Sequence, residues 1–188
     1  SHEVEGRWRL VETAWELNLS RNLVSIEAGD EVDQLVVSRN GRRRAVTSSR
    51  DALNGYQKGR CFYCFRDISI VPGSANLADV DHFIPHAGGT AFLGEQVNGI
   101  WNLVLACNDC NRGVSGKFAR VPALSLLERL HQRNEYLIAS HHPLRATLLA
   151  QTGGTPAARA SRLQNAWQSA LDLLIHRWAP TPRAPATF

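Results

Sequence analysis

Two pairs of cysteines, each pair separated by two residues, constrain this chain more than any other feature of its sequence. The pairs are Cys61/Cys64 and Cys107/Cys110, and they account for all four cysteines of the 188-residue chain. Disulfide bonds are typical of secreted proteins, and the chain shows no apolar signal-peptide segment, so we do not expect export. Two such pairs in an intracellular chain instead predict four thiolates around one tetrahedral, structural zinc ion.

The segments between the two cysteine pairs are typical of strands. "ANLADVDHF" and "GIWNLVLAC" are both β-prone, and we expect a Gly-rich loop over 86–99 to connect them. The stretch after Cys107 begins with turn and cap residues, which predicts a short helix or loop ending near Pro122. Together with the flanking helices, these patterns predict a mixed α+β fold.

The region before the first cysteine predicts a helix, a hairpin and a second helix. Apolar residues from Arg7 to about Leu19 form a helical stripe. Asn40-Gly41 is a two-residue turn signal between β-prone arms. Ser48, with Asp51 three residues later, predicts a capped helix that runs to about Lys58.

The region after the second pair is helical in pattern. We expect one helix from about residue 124, a short one over 143–151, and a third that begins at Thr155-Pro156. Trp167 and Trp178 are predicted to anchor these helices in the core. The Pro-rich end, residues 180–188, is predicted to be frayed or to act as a linker.

Basic residues are concentrated before the first cysteine. Residues 35–60 contain seven Lys and Arg against one acid, whereas residues 1–34 contain eight acids and three arginines. A basic block of this kind suits a phosphate backbone, although a solvated Arg-rich surface explains it equally well. If it binds DNA, we expect Arg42, Arg43 and Arg44 to make the contacts. No apolar run approaches the roughly 18 residues of a membrane helix, so no membrane association is expected.

The stretches "VDHFIPHAGG" (80–89) and "WNLVLACNDCNRGVSGK" (101–117), combined with the cysteine pairs, carry a family resemblance. Over about residues 58–120 the chain resembles the HNH endonuclease superfamily, specifically its zinc-stapled members. The resemblance implies a ββα-metal (His-Me finger) core that holds one catalytic Mg²⁺ or Mn²⁺. It suggests four segments, which are an N-terminal extension (1–57), the nuclease core (58–122), a helical extension (123–179) and the tail (180–188).

The resemblance also implies a role for each polar residue of the core. His82 corresponds to the general base, and a side chain with a near-neutral pKa suits that task. Asp81 would be a hard oxygen ligand of the catalytic ion, and Asn111 would supply a second ligand through its amide oxygen. Asn102 would hydrogen-bond the loop backbone and so aim His82. Asp79 shares a strand face with Asp81, so it is a candidate for an acidic residue that supports the metal ligands without binding the ion itself.

The run Cys110-Asn111-Arg112-Gly113-Val114 departs from the family at its last position. The family often has a lysine there that can contact phosphate, whereas Val114 is apolar. We expect Arg112 or Lys117 to supply the missing charge. His86, in the predicted loop, is expected to be a surface residue.

Taken together, the sequence predicts a metal-dependent HNH endonuclease that acts on duplex DNA in the bacterial cytoplasm. Restriction, phage defence and mobile elements are the settings in which such nucleases are common. The alternative is a zinc-bound module that binds nucleic acid without cutting it. The reason for this alternative is Val114, which replaces the family's usual lysine. A further possibility is a nuclease subunit that stays silent until a partner of a larger defence or DNA-processing complex activates it.

Overall fold

The computed structural model describes residues 26–28, 34–39, 42–140 and 142–188, which form a mixed α+β structure with small sheets and several helices. The helices are α1 (Ser49–Gln57), α2 (His86–Leu93), α3 (Asn108–Arg112), α4 (Leu124–Ala139), α5 (Arg145–Thr152) and α6 (Pro156–Leu174). The strands are β1 (Ile26–Ala28), β2 (Gln34–Arg39), β3 (Arg42–Ser48), β4 (Asp79–His82), β5 (Leu103–Ala106), β6 (Val121–Pro122) and β7 (Arg177–Trp178). The predicted fold class is confirmed at this level.

The strands β2 and β3 form the hairpin that the sequence predicts. They pair antiparallel with Arg39 opposite Arg42, so two residues connect them, and β1 pairs with the other edge of β2. The predicted helix from Arg7 to Leu19 lies outside the described residues.

Helix α1 follows β3 directly and fastens the edge of β5. Its bounds confirm the predicted short helix, which ends one residue before Lys58. The buried Gln57 side chain donates to the carbonyl oxygen of Leu105 (2.8 Å) and accepts from the amide of the same residue (2.9 Å). This pair of bonds is what a neighbouring strand would provide, so the last residue of α1 closes a strand edge inside the core.

A two-stranded antiparallel sheet, β4–β5, lies at the centre of the structure. Asp79 pairs with Ala106 and His82 with Leu103. All four residues of β5 are buried, which agrees with its uninterrupted apolar sequence. The short helix α3 begins immediately after Cys107, the residue that follows β5, and it packs against β4.

The predicted Gly-rich loop over 86–99 is wrong, because α2 and a short 3₁₀ turn (Gly94–Asn98) occupy this segment. A Cβ atom on Gly88 would lie 2.9 Å from Leu174 Cδ2, and one on Gly89 would lie 2.7 Å from Val97 Cγ2. The glycines therefore allow α2 to approach α6 and its own following turn closely.

The C-terminal helices start near the predicted positions. Thr155 caps α6 through its side-chain oxygen, which accepts from the amide of Ala158 (3.2 Å). Beyond α6, β7 pairs with β6 in parallel. Trp167 and Trp178 are buried, and their indole N–H groups donate to the carbonyl oxygens of Pro122 (2.7 Å) and Ser115 (2.8 Å), which confirms them as core anchors.

The prediction of a frayed tail is wrong. The Arg183 amide donates to the carbonyl oxygen of Cys64 (3.0 Å), and the ring of Phe188 lies 5.0 Å from those of Tyr56 and Phe65. The ring contacts of Phe188 thus hold the tail against the segment around the first cysteine pair.

One buried apolar cluster extends from Ala52 to Trp178, so the predicted segments 58–122 and 123–179 share a core. The boundaries at 57, 122 and 179 stay predictions. In the part of the chain that the structure describes, helices are either too short or too polar to cross a bilayer.

Candidate metal centre and adjoining polar site

The four cysteines form one compact group. Their sulfur atoms all lie within 4.8 Å of one another, the thiols are free and buried, and Cys64 Sγ is 3.7 Å from Cys107 Sγ. A zinc–sulfur bond of about 2.3 Å requires the sulfurs of a tetrahedral site to be about 3.8 Å apart. The spacing and the soft donor set therefore fit a zinc ion, and a four-cysteine cluster that can hold zinc is confirmed.

The hydrogen bonds among the four thiols shift their pKa values in opposite directions. Bonds from Cys107 and Cys110 lower the pKa of Cys64, and bonds from Cys110 and Cys61 lower the pKa of Cys107 to about 6. The same bonds raise the pKa of Cys61 and Cys110. Zinc binding requires thiolates, so an ion bound by the cluster would displace the thiol protons.

Arginines surround the cluster. Arg66 and Arg183 both form ion pairs with Asp109 on α3, at 2.7 and 2.6 Å. Arg129 of α4 donates to the carbonyl oxygens of Phe62 and Tyr63, and its guanidinium carbon is 4.3 Å from the ring centre of Phe65. Four thiolates around Zn²⁺ carry an excess negative charge, which nearby arginines help to balance.

Asp81 on β4 is a buried carboxylate with two protein partners. Its Oδ2 accepts from the Tyr63 hydroxyl (2.6 Å), and its Oδ1 pairs with the Lys117 ammonium (3.2 Å). Burial raises the pKa of Asp81, while Lys117 and the Tyr63 hydrogen bond act in the opposite direction. Tyr63 stands between the first two cysteines, so its hydroxyl links Asp81 to the segment that carries Cys61 and Cys64.

His82 is the next residue and points to the opposite face of β4. Its Nε2 lies 2.9 Å from Asn98 Oδ1, and its ring centre is 5.3 Å from that of the exposed His86. With the Asn98 amide oxygen as the acceptor, the contact fits the tautomer that has its proton on Nε2 and leaves Nδ1 as an acceptor. Burial lowers the pKa of His82 to about 4, so the imidazole is neutral at neutral pH.

Asn102 is completely buried and makes the predicted hydrogen bonds to the loop backbone. Its Oδ1 accepts from the Ile84 amide (2.7 Å), and its Nδ2 donates to the carbonyl oxygens of Ile84 (3.0 Å) and Val97 (2.9 Å). Since Ile84 is two residues after His82, Asn102 fixes the exit of β4. Its role in aiming His82 stays a prediction.

We expect Asn102→Ala to lower the free energy of unfolding by about 2–4 kcal/mol, because it leaves three buried backbone groups without a partner. Urea unfolding of the zinc-loaded protein measures this. Asn98→Ala is the matched control, since Asn98 is only half-buried and bonds one side chain, and it should cost about 1 kcal/mol or less. Equal losses for the two variants would contradict the assignment.

Asn111 on α3 reaches β4 at Asp79. Its Nδ2 donates to Asp79 Oδ2 (3.1 Å), and Arg112 forms an ion pair with Asp79 Oδ1 (3.0 Å). Asn111 therefore contacts Asp79 on β4, whereas the partners of Asp81 are Tyr63 and Lys117. Arg112 keeps most of its side chain exposed beside this contact.

The residues predicted to bind nucleic acid are placed differently. Arg42, Arg43 and Arg44 lie on β3, where their side chains are outside the described part of the structure. Arg112 is exposed, as such a contact requires. Lys117 is 0 % exposed, and its ammonium is directed into the core, so the expectation that it contacts phosphate is corrected.

Two residues of the site were not found from the sequence. Tyr63 holds Asp81, and its place within Cys61-Phe-Tyr-Cys64 is compatible with any buried aromatic role. Asn98 holds His82, and nothing in its surroundings distinguishes it from an ordinary turn residue. Neither residue could be recognised from its neighbours in sequence, because each contact joins two separate segments of the chain.

Comparison with known proteins gives no relative: no family model, no curated protein and no solved structure matches this chain. The fold and the site together define the chain as a mixed α+β protein with a four-cysteine cluster that can bind zinc.

Proposed function

We propose that this protein is a metal-dependent endonuclease of the HNH type that hydrolyses DNA phosphodiester bonds. The observation that carries the proposal is the arrangement of β4, β5 and α3 beside the cysteine cluster. Asp81 and His82 lie on β4, Asn102 precedes β5, and Asn111 on α3 reaches β4. This order of strand, strand and helix with these residues supports a ββα-metal core.

His82 has the chemistry of a general base. It is neutral at neutral pH because burial lowers its pKa, and Asn98 holds one ring nitrogen. The other nitrogen is free to take a proton from an attacking water molecule. Asn98 and Asn102 restrict the ring and the backbone after it, as a group that must meet a small nucleophile requires.

The oxygen donors around Asp81 fit the expected divalent ion. Asp81 Oδ1 and the carbonyl oxygens of His82 and Phe118 converge on the Lys117 ammonium, at 3.2, 3.0 and 3.1 Å. Oxygen atoms that already hold one cation are the donor type that Mg²⁺ or Mn²⁺ prefers. By the family resemblance Asp81 and Asn111 would be the side-chain ligands, although the Asn111 amide is directed to Asp79 in this structure. The ion would supply positive charge to the phosphate in the transition state.

The loop that follows α3 would face the DNA. Val114 and Phe118 are exposed there, beside Arg112. Arg112 would approach the phosphate backbone, and Val114 and Phe118 could contact the sugar edge of a groove. The basic hairpin with Arg42, Arg43 and Arg44 would extend this surface, and the helices after residue 123 would bind partner subunits of a bacterial defence or DNA-processing complex.

A nicking assay tests the proposal. Zinc-loaded full-length protein is incubated with supercoiled plasmid and Mg²⁺, Mn²⁺ or no added divalent ion, and the relaxed and linear forms are quantified. We expect cutting that requires the added ion and that persists when the protein contains one zinc per chain. Binding of the plasmid without cutting under every ion would refute the nuclease.

A second candidate function is a zinc-stabilised module that binds DNA without cutting it. Two observations favour it, namely the fully exposed Val114 at the family's usual lysine position and the Lys117 ammonium on Asp81. A gel-shift assay beside the nicking assay separates the two functions, because the module alone would shift the plasmid and leave it supercoiled. If a native partner restores cutting, the chain is instead a nuclease subunit that needs activation.

A further inference from the structure

Lys117 is a buried ammonium group with a complete set of acceptors. Its three N–H bonds are matched by Asp81 Oδ1 (3.2 Å), the carbonyl oxygen of His82 (3.0 Å) and that of Phe118 (3.1 Å). Its side chain is 1 % exposed and that of Asp81 is 8 % exposed. A buried ammonium is tolerated only where such partners replace its water, so these three oxygens form a cradle for a cation.

The backbone after α3 places Lys117 in this cradle. The Lys117 amide donates to the carbonyl oxygen of Cys110 (2.6 Å), and the Phe118 amide donates to that of Asn111 (2.9 Å). The chain therefore folds back over the second cysteine pair. Phe118 has a φ of 48°, a region that residues other than glycine rarely adopt, so the turn is held by these contacts.

A divalent ion and the Lys117 ammonium compete for the same carboxylate. An ion bound to Asp81 Oδ1 would lie about 2.1 Å from it, on an oxygen whose present partner is the ammonium at 3.2 Å. Asp81 Oδ2 already accepts from the Tyr63 hydroxyl. Two cations so close in a buried site repel strongly, because little water is present to screen them.

We propose that Lys117 is an internal cation that keeps the Asp81 site closed and that must leave before a divalent ion binds. This rests on the proposed function only in taking Asp81 as the ligand of that ion. Lys117 thus sets the concentration of divalent ion at which the site becomes occupied. It acts through Asp81 and is a positioning residue.

Removing the charge of Lys117 tests the competition directly. Mn²⁺ is titrated calorimetrically into zinc-loaded wild type, Lys117→Gln and Lys117→Met, with zinc content and circular dichroism as checks of folding. We expect the variants to bind Mn²⁺ about ten-fold or more tightly than wild type, and Asp81→Asn to abolish this binding. Lys58→Gln is the matched control, since it removes the charge of the chain's other lysine at an exposed position and should leave the affinity nearly unchanged.

Unchanged Mn²⁺ affinity in a folded Lys117 variant would overturn the proposal, and so would Mn²⁺ binding by Asp81→Asn equal to that of wild type. Neither measurement depends on cutting. A protein that binds Mn²⁺ more tightly without Lys117 but never nicks plasmid would refute the nuclease and retain the competition.

Amine labelling of wild type provides a test that needs no variant. The chain has two lysines, and Lys58 is exposed, so it serves as an internal standard. An acylating reagent should modify Lys58 under all conditions and Lys117 only when Mn²⁺ is added, as read by mass spectrometry of peptides. Lys117 that stays protected at saturating Mn²⁺, or reacts fully without it, would overturn the proposal.

Discussion

Replacing His82 with alanine is expected to lower the rate of plasmid cutting by about a hundred- to ten-thousand-fold. The variant loses the neutral imidazole that Asn98 holds and that burial keeps unprotonated at neutral pH. The cysteine cluster does not involve this ring, so one zinc per chain should remain. The rate is measured on supercoiled plasmid with Mg²⁺ or Mn²⁺, beside the melting temperature and zinc content of the same preparation.

His86→Ala is the matched control for this experiment. It removes the same type of side chain from an exposed position whose ring centre lies 5.3 Å from that of His82. Cutting by His86→Ala should stay within a few-fold of wild type. If the two variants lose activity equally, or if His82→Ala cuts normally, His82 is not the base.

The cysteine cluster could be predicted because metal-ligand spacing is a local property of the chain. Two residues between cysteines let both sulfurs face one ion, and two such pairs complete a tetrahedron. Strand β4 and the capped start of α6 were also predictable, because alternation and Thr155-Pro156 depend on near neighbours. The bonds of Asn102 to the loop followed from the family resemblance.

Other parts of the site depend on contacts between distant segments. Gly88 and Gly89 suggest a loop in the sequence, but both residues lie in α2. They are small because Leu174 and Val97 pack where their side chains would be. Phe188 returns the tail to the first cysteine pair through ring contacts that no local pattern encodes. Tertiary packing decides both cases against local propensity.

The burial of the charged Lys117 side chain also could not be predicted from its neighbours in sequence. A lysine between Gly116 and Phe118 reads as a solvated residue, since lysine is almost never fully buried without a partner. The partner is Asp81, 36 positions earlier, and it is available only once β4 and the turn after α3 have come together. The same event turns an expected DNA contact into an internal cation, so the error concerns function as well as structure.

Loss of the zinc ion that the cysteine cluster can hold is expected to have the largest effect on stability. Cys110→Ser removes one ligand from a buried group whose sulfurs lie within 4.8 Å of one another. Binding of structural zinc contributes about 10–16 kcal/mol in small zinc domains, whereas whole domains are stable by only about 5–15 kcal/mol. We therefore expect Cys110→Ser, or wild type stripped by a strong chelator, to lose its cooperative unfolding transition and its near-ultraviolet circular dichroism.

Ala106→Ser is the matched control, because it introduces the same hydroxyl at a fully buried position next to Cys107 without removing a ligand. It should lower the free energy of unfolding by about 1–3 kcal/mol and keep one zinc per chain. The comparison separates the loss of a metal ligand from the cost of burying a polar group. A Cys110→Ser protein that melts like Ala106→Ser and retains its zinc would show that Cys110 is not a ligand, and the joining of α3 to the first cysteine pair would then need another cause.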